Sequence, residues 1–501
     1  MTNFLRVGAW LSLFCLGAAG LRGAGDEALT SRTAPLHALI LSGGPDTENN
    51  TAEIEDHTRF VAGLLTGAAS RTTLFADGNA RNATVTFVDS GSVNVGQRAL
   101  EVLLPKDNFG PPTHTRAPDL GVALDGAAKR QSIHRAFAKL SASTSRAATP
   151  PAAVLIYVAG HGSHNQKNEE NNSCDLWDNE SFSVRDLAAE LARLPAKTPV
   201  TLVMAQCYSG AFANVIFRGG DPKNEQLSEL DLAGFFSAAA DREAAGCGAD
   251  VGAADFQDFS SYFFGALSER DRLGKMITGA DYDKDGSVTL HEAFCYALVH
   301  DESIDTPVCT SQIFLRRFVP LSEPEIYGTP FPEILRDATA AERVALDTLS
   351  ERLELTGDQR LLAAYDRLSF VDPVGRPAQL TRLRVAREKL AALRSETLFG
   401  LFERWPALRW KDAPEYEAAA DGAVHELDGD RAACDRLLAA AAESGRANDA
   451  VDVEEAFLLR FTSLCEGIVR ASRLRAGGDG ALKARFERLR RAEMRGLSLG
   501  R

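Results

Sequence analysis

The stretch VLIYVAGHGSHN, Val154 to Asn165, decides how the chain is read, together with VTLVMAQCYSGAF, Val200 to Phe212. Each opens as an unbroken run of β-branched and apolar residues, the pattern of a strand buried on both faces. Each stops in small residues around one reactive side chain, His161 in the first and Cys207 in the second. Open α/β sheets hold their reactive groups at such strand ends. Between them, Ser183 and Asp186 have the spacing of a helix start. Leu187, Leu191 and Leu194 keep the helical period, and Pro195 ends it. Strand, helix, strand is the parallel crossover unit, which sets the two ends side by side. HALILSGG (37–44) supplies an earlier strand, TTLFADG and ATVTFVDSG two more, and LAGFFSAAADRE (232–243) a later one. The expected fold is α/β, a three-layer α/β/α sandwich around a mainly parallel sheet.

A thiol becomes an effective nucleophile when its pKa is lowered or a base stands beside it. An imidazole supplies that base and later the acid for a leaving amine. Gly162 lets backbone approach a substrate closely. The N–H groups of Gly162 and Cys207 are the candidate oxyanion donors. The bland reading makes Cys207 a buried thiol and His161 a satisfied core histidine. Both at ends of adjacent strands, each followed closely by glycine, favours chemistry.

A second motif, DYDKDGSVTLHE, runs from Asp281 to Glu292. Asp281, Asp283 and Asp285 occupy the first, third and fifth positions of a calcium loop. Gly286 is sixth and Glu292 twelfth. Ser287 and Thr289 fill the seventh and ninth. Hard Ca²⁺ takes oxygen ligands, and the glycine allows the sharp turn. The bland reading is an acidic turn before a helix. One such loop without a pair suits a structural Ca²⁺ site better than a sensor.

With 501 residues, two or three domains are expected. The net charge of −14 argues against a nucleic-acid partner. MTNFLRVGAWLSLFCLGAAG resembles a secretory signal (1–25), too short for a membrane span. It predicts export to a periplasm or the extracellular space. Asp26 to Pro35 reads as a linker. Of eight cysteines, Cys15 lies in the signal. Cys434 with Cys465, and Cys295 with Cys309, are the natural local disulfides. The alternative is reduced, buried thiols. The composition turns Leu-, Ala-, Arg- and Glu-rich after Pro330. Residues 331–501 read as a separate all-α domain following the 26–330 domain. The basic stretch LKARFERLRRAEMRGLSLGR reads mainly as a solvated helix.

Four motifs resemble the caspase–haemoglobinase group of cysteine peptidases, and within it the legumain-like family. They are AGHGS (159–163), LWDNESFSVRDL (176–187), AQCYSG (205–210) and SAAADREAAGC (237–247). The resemblance covers roughly 36–320 and leaves out the tail and the acidic loop. It implies a caspase-like α/β/α fold, an endopeptidase acting on protein or peptide substrates, and His161 with Cys207 as the dyad. It also implies Gly162 and Cys207 N–H groups as the oxyanion hole. The stretch 237–247 then walls the specificity pocket. The family's acidic residue two before the cysteine is Ala205 here. Its histidine-supporting asparagine falls at Pro45, with Asn49 and Asn50 nearby. Asp241 and Asp258 are the acidic candidates for the pocket, which would favour Lys or Arg over asparagine. By the same resemblance, residues 331–501 form a self-interacting tail that covers the cleft as a pro-region. The alternative is a catalytically silent scaffold whose tail recruits partners.

Overall fold

The computed structural model describes residues 34–89, 91, 93–146, 150–249, 257–369, 377–477, 479–497 and 499. The signal-like stretch and most of the linker lie outside the described residues. The strands are β1 (Leu36–Gly43), β2 (Ser70–Phe75), β3 (Val85–Val88), β4 (Thr113–Arg116), β5 (Ala153–Gly160), β6 (Gly162–Ser163), β7 (Ser173–Leu176), β8 (Glu180–Ser183), β9 (Pro199–Ala205), β10 (Asp231–Phe236) and β11 (Val308–Cys309). The main sheet has the order β11-β10-β9-β5-β1-β2. It is parallel throughout except for β11, which runs antiparallel to β10. β3 pairs with β4, and β6, β7 and β8 form a small antiparallel sheet.

The helices of the first part are α1 (Ala52–Leu64), α2 (Val95–Leu103), α3 (Arg130–Thr144), α4 (Val184–Leu191), α5 (Phe259–Ser268), α6 (Leu290–His300) and α7 (Thr310–Phe318). Those of the tail are α8 (Glu323–Tyr327), α9 (Phe331–Asp337), α10 (Ala340–Arg352), α11 (Arg360–Ser369), α12 (Pro377–Arg404), α13 (Tyr416–Gly429), α14 (Arg431–Gly477) and α15 (Gly480–Glu493). The expected start of α4 is a capping box between Ser183 and Asp186, a device worth about 1 kcal/mol.

Side chains alternate across the sheet with period two. Ala38, Ile40, Leu155, Tyr157, Val203 and Phe235 face one core with α1, α5 and α6. Leu39, Leu41, Ile156, Val158, Leu202 and Met204 face the other with α3, α4 and α7. Both faces are therefore covered, as a parallel sheet requires.

The change of composition at 330 is not a break in packing. Residues 34–501 form one compact unit. Leu346, Leu361, Phe457 and Phe461 of the tail share the first core, and Leu474, Phe486 and Leu489 share the second. The basic terminal stretch is thus not a solvated helix: α15 buries Phe486, Leu489, Ala492 and Glu493. The two segments read as DRAACDRLLAAAAES and VEEAFLLRFTSLCEGIVRASRLR are one continuous helix, α14.

The local disulfides do not form. All seven described cysteines are free. Cys434 and Cys465 lie on the same helix, about 45 Å apart at 1.5 Å of rise per residue, far beyond disulfide reach. Cys295 and Cys309 are buried small hydrophobes. The strand expected over 232–243 ends at Phe236, and the remainder is a loop.

Candidate active site

Parallel register carries the two reactive residues to the same level. Ala159 pairs with Ala205 across β5 and β9, so His161 and Cys207 each stand two residues beyond a matched pair. The backbones touch there. A Cβ on Gly162 would lie 2.1 Å from the Cys207 carbonyl oxygen, so no larger residue fits without moving the strand end. Gly160 has φ +143° and packs against the Gly43 carbonyl, which turns the chain out of the sheet just before His161.

His161 has a defined tautomer. Its Nε2 lies 2.8 Å from the Asn49 carbonyl oxygen. A carbonyl only accepts, so Nε2 carries a hydrogen, and in the neutral ring the lone pair is on Nδ1. The supporting asparagine acts through its backbone. The neighbouring Asn50 side chain instead accepts from Gly44 N–H at 3.0 Å and donates to the Thr84 carbonyl at 2.7 Å. The His161 carbonyl accepts from Asp175 N–H at 3.0 Å. That bond makes Gly162 and Cys174 a non-hydrogen-bonded pair of β6 and β7, so the Gly162 N–H points away from β7.

Cys207 is partly buried, and burial pushes its thiol above the ordinary value. Ala244 N–H opposes this, donating to Sγ over 3.3 Å, while Glu243 and Asp305 reinforce it. Cys247, also partly buried, is pushed up to about 11 by burial and by the nearby Cys207 and Glu53. The next residue, Tyr208, has φ +60°, a conformation that costs a non-glycine residue about 1–2 kcal/mol. It is held there by its N–H bond to the Arg242 carbonyl at 2.7 Å, and its ring stacks on His164 at 5.1 Å. Gln206 is buried, and neither of its amide atoms has a hydrogen-bond partner among the described residues.

The loop that follows β10 is fastened from four directions. Asn172 donates to the Ala240 carbonyl at 2.7 Å. Asp305 accepts from Ala245 N–H at 2.7 Å. His57 Nε2 bonds the Gly246 carbonyl at 3.1 Å, and Glu53 accepts from Gly248 N–H. Burial holds His57 down to about 4, so at neutral pH it is an uncharged donor to Gly246. Ala205 ends β9. Asp241 is exposed on the loop. Asp258 is not open to a pocket. It is buried, caps α5, accepts from Ser260 and Ser261, and pairs with Arg272 at 3.3 Å. Burial works against its charge, but Arg272 and the hydroxyls of Ser260 and Ser261 hold it well below the usual carboxylate range. With His57 neutral, Arg272 is the counter-charge. A polar cleft of about 600 Å³, lined in part by Arg130, Ser163, His164 and Asp186, opens beside the histidine strand end.

The acidic loop lies apart from this cluster in sequence. Asp281, Asp283 and Asp285 bring carboxylate oxygens within 4.8 Å of one another, a donor set that fits a hard divalent cation. Asp281 accepts from Asp285 and Gly286 N–H at 3.2 and 3.0 Å, and Ser287 Oγ donates to Asp285 at 2.8 Å. Glu292 is engaged elsewhere. One oxygen takes Tyr282 N–H at 2.8 Å and the other forms a capping box with Thr289. Asp271–Ala280 before the loop contains no helix, unlike a helix–loop–helix hand.

Asn172 and Asp305, which no sequence pattern marks, reach the loop after β10 through contacts made only in the fold. No protein-family model matches the chain, and no curated protein matches it either. Among the described residues no helix is long and apolar enough to cross a membrane.

Proposed function

We propose that the protein is an exported cysteine endopeptidase with a caspase-like fold, in which Cys207 attacks a peptide carbonyl and His161 moves the proton. The observation that carries this is the level placement of the two strand ends, with Gly162 against the Cys207 backbone and the His161 lone pair fixed on Nδ1. His161 takes the thiol proton as the sulfur–carbon bond forms. The Gly162 N–H, free of β7, and the Cys207 N–H face the developing oxyanion. The proton then passes to the leaving amine, and water releases the acyl group from sulfur. The loop after β10 forms the pocket wall. Asp258 is engaged internally, so Asp241 and Glu243 are the exposed acids on that wall. They favour a basic residue before the cut bond.

The test is a panel of peptide substrates and a thiol-directed covalent probe applied to the mature protein, with and without Ca²⁺. Hydrolysis and labelling that vanish in Cys207→Ala are expected. Labelling of wild type no greater than of Cys207→Ala under every condition sinks the proposal. The raised thiol pKa is the observation that favours a silent scaffold instead. That reading predicts a folded protein with an alkylatable Cys207 and no hydrolysis of any peptide.

The loop 281–292 is proposed as a structural Ca²⁺ site built on Asp281, Asp283 and Asp285, with Glu292 released from its N–H partners to complete it. Calcium should raise the melting temperature of wild type and leave Asp281→Ala/Glu292→Ala unmoved. Equal wild-type melting with and without calcium refutes it.

A further inference from the structure

Arg460, in the middle of α14, is fully buried, and burying a charge is costly unless every donor finds a partner. Its Nε donates to the Asp305 carbonyl at 2.7 Å. Nη1 reaches the Leu298 and Asp301 carbonyls at 3.3 and 2.5 Å. Nη2 takes the Ser303 carbonyl at 2.9 Å and the Asp301 carboxylate at 3.2 Å. All five guanidinium donors are thereby used, and four of the acceptors are backbone carbonyls between 298 and 305. One side chain from the tail therefore fixes the path of a loop more than 150 residues away in the chain.

That loop carries Asp305. Its carboxylate accepts from Phe259 N–H at 2.9 Å and from Ala245 N–H at 2.7 Å. The peptide before Ala245 is Ala244, whose own N–H meets Cys207 Sγ at 3.3 Å. A second strut is the ion pair between Glu455 of α14 and Arg242 at 2.8 Å, and the Arg242 carbonyl holds Tyr208 N–H. Both partners of that pair are more than a third exposed, so it is the weaker link.

On the premise that Cys207 is the nucleophile, we propose that Arg460 is a positioning residue: through Asp305 it holds the Ala244 N–H on the thiol. α14 is then a permanent buttress of the site, not a cover to be removed from it. Burial raises the Cys207 thiol and Ala244 N–H counters it, so slackening the loop removes one of the few groups that favour the thiolate.

The test is the pH dependence of Cys207 alkylation by iodoacetamide in the full chain, followed at that cysteine by peptide mass spectrometry. Arg460→Lys supplies three donors where five are needed. Asp305→Glu keeps the charge that faces the thiol, but its extra methylene moves the carboxylate off the Phe259 and Ala245 N–H groups. Circular dichroism establishes that each variant is folded. Both should move the alkylation midpoint upward, making the reaction up to about tenfold slower below the midpoint for a one-unit rise, with rates that converge with wild type at high pH. Glu455→Gln should shift it much less. If Arg460→Lys fails to fold, Asp305→Glu decides alone. An unchanged midpoint in folded Asp305→Glu overturns the proposal. A shift in the variants of a wild type that hydrolyses no peptide leaves the buttress standing and removes only the peptidase. Hydrolysis by wild type with no shift in Asp305→Glu removes only the buttress.

Discussion

The strand-end pair and the acidic loop are built in opposite ways. The loop brings its three aspartates together within five consecutive residues, 281–285. The pair draws on β5, β9, the segment after β1, the loop after β10 and, through Arg460, a helix near the end of the chain. Yet both are anchored by the tail. Leu290, at the end of the acidic loop, donates its N–H to the Arg495 carbonyl at 2.9 Å, and Thr289 bridges to Gly496. The difference lies in what is anchored. At the loop the tail holds a segment whose ligands are already close, and at the pair it holds the geometry itself.

The sharpest way to break this contrast is Arg460→Met. It strands the buried Asp301 carboxylate and four carbonyls, and removing one partner of a buried ion pair costs about 3–5 kcal/mol. Urea unfolding should show that loss, with the Cys207 region exchanging amide hydrogen faster than the acidic loop. Equal loosening of both regions would erase the distinction.

Glu342→Gln is its counterpart on the other side. Glu342 sits between Arg490 of α15 at 3.2 Å and His291 of α6 at 3.1 Å, behind the helix that leaves the acidic loop. Burial disfavours its charge, but Arg490 and His291 hold its pKa well below the usual carboxylate range. A depressed carboxylate contributes stability above its unfolded value, about 4.3, and loses it as pH falls toward the folded value. The variant should cost about 3 kcal/mol at pH 7, and the gap from wild type should narrow as pH drops below about 4.3. A gap that stays constant from pH 7 to 3 contradicts the ionised pair. Cys207 alkylation should be unmoved.

Gly162→Ala tests the contact between the strand ends directly. The new methyl group meets the Cys207 carbonyl, and overpacking of this kind costs about 1–3 kcal/mol. Peptide hydrolysis should fall much further than stability does. Full activity in the variant would show that the strand ends are free to part.

The sheet was legible because strand burial leaves a local mark. The runs at 154–160 and 200–205, and the Ser183/Asp186 cap, need no distant partner to be recognised. The placement of His161 and Cys207 beyond two strand ends was legible for the same reason, each at the edge of such a run. The supports were not. Asn49 acts through its carbonyl, which no side-chain pattern records, and Arg460 looks like any basic residue on an amphipathic helix until its burial is known. Asp258 shows the reverse error, an acid near the pocket sequence whose charge is met by Arg272 and by the start of α5. The tail misled by composition, since Ala- and Arg-rich helices with a basic end look solvated, whereas Phe486 and Leu489 complete a core face.

The smallest expected effect is at the acidic loop, and its sign is the informative part. The Asp285 N–H favours the Asp283 carboxylate, but desolvation and the charges of Glu292, Asp285 and Asp281 outweigh it and raise its pKa. A carboxylate raised in the folded state opposes folding while it is charged and ceases to do so as pH falls and it takes up its proton. Without divalent cation, Asp283→Asn should therefore melt slightly higher than wild type at pH 7, with the difference fading below about pH 4. Added calcium should reverse the order, because the cation turns the repulsion among the three aspartates into the energy of its own binding. The supports of the strand-end pair are the Asn49 carbonyl, Asn172, Asp305 and a buried arginine, none of them an aspartate of the 281–285 cluster. A calcium titration that moves wild-type melting without moving the Cys207 alkylation midpoint would separate the two sites. A midpoint that moves with calcium would join them through the tail that anchors both.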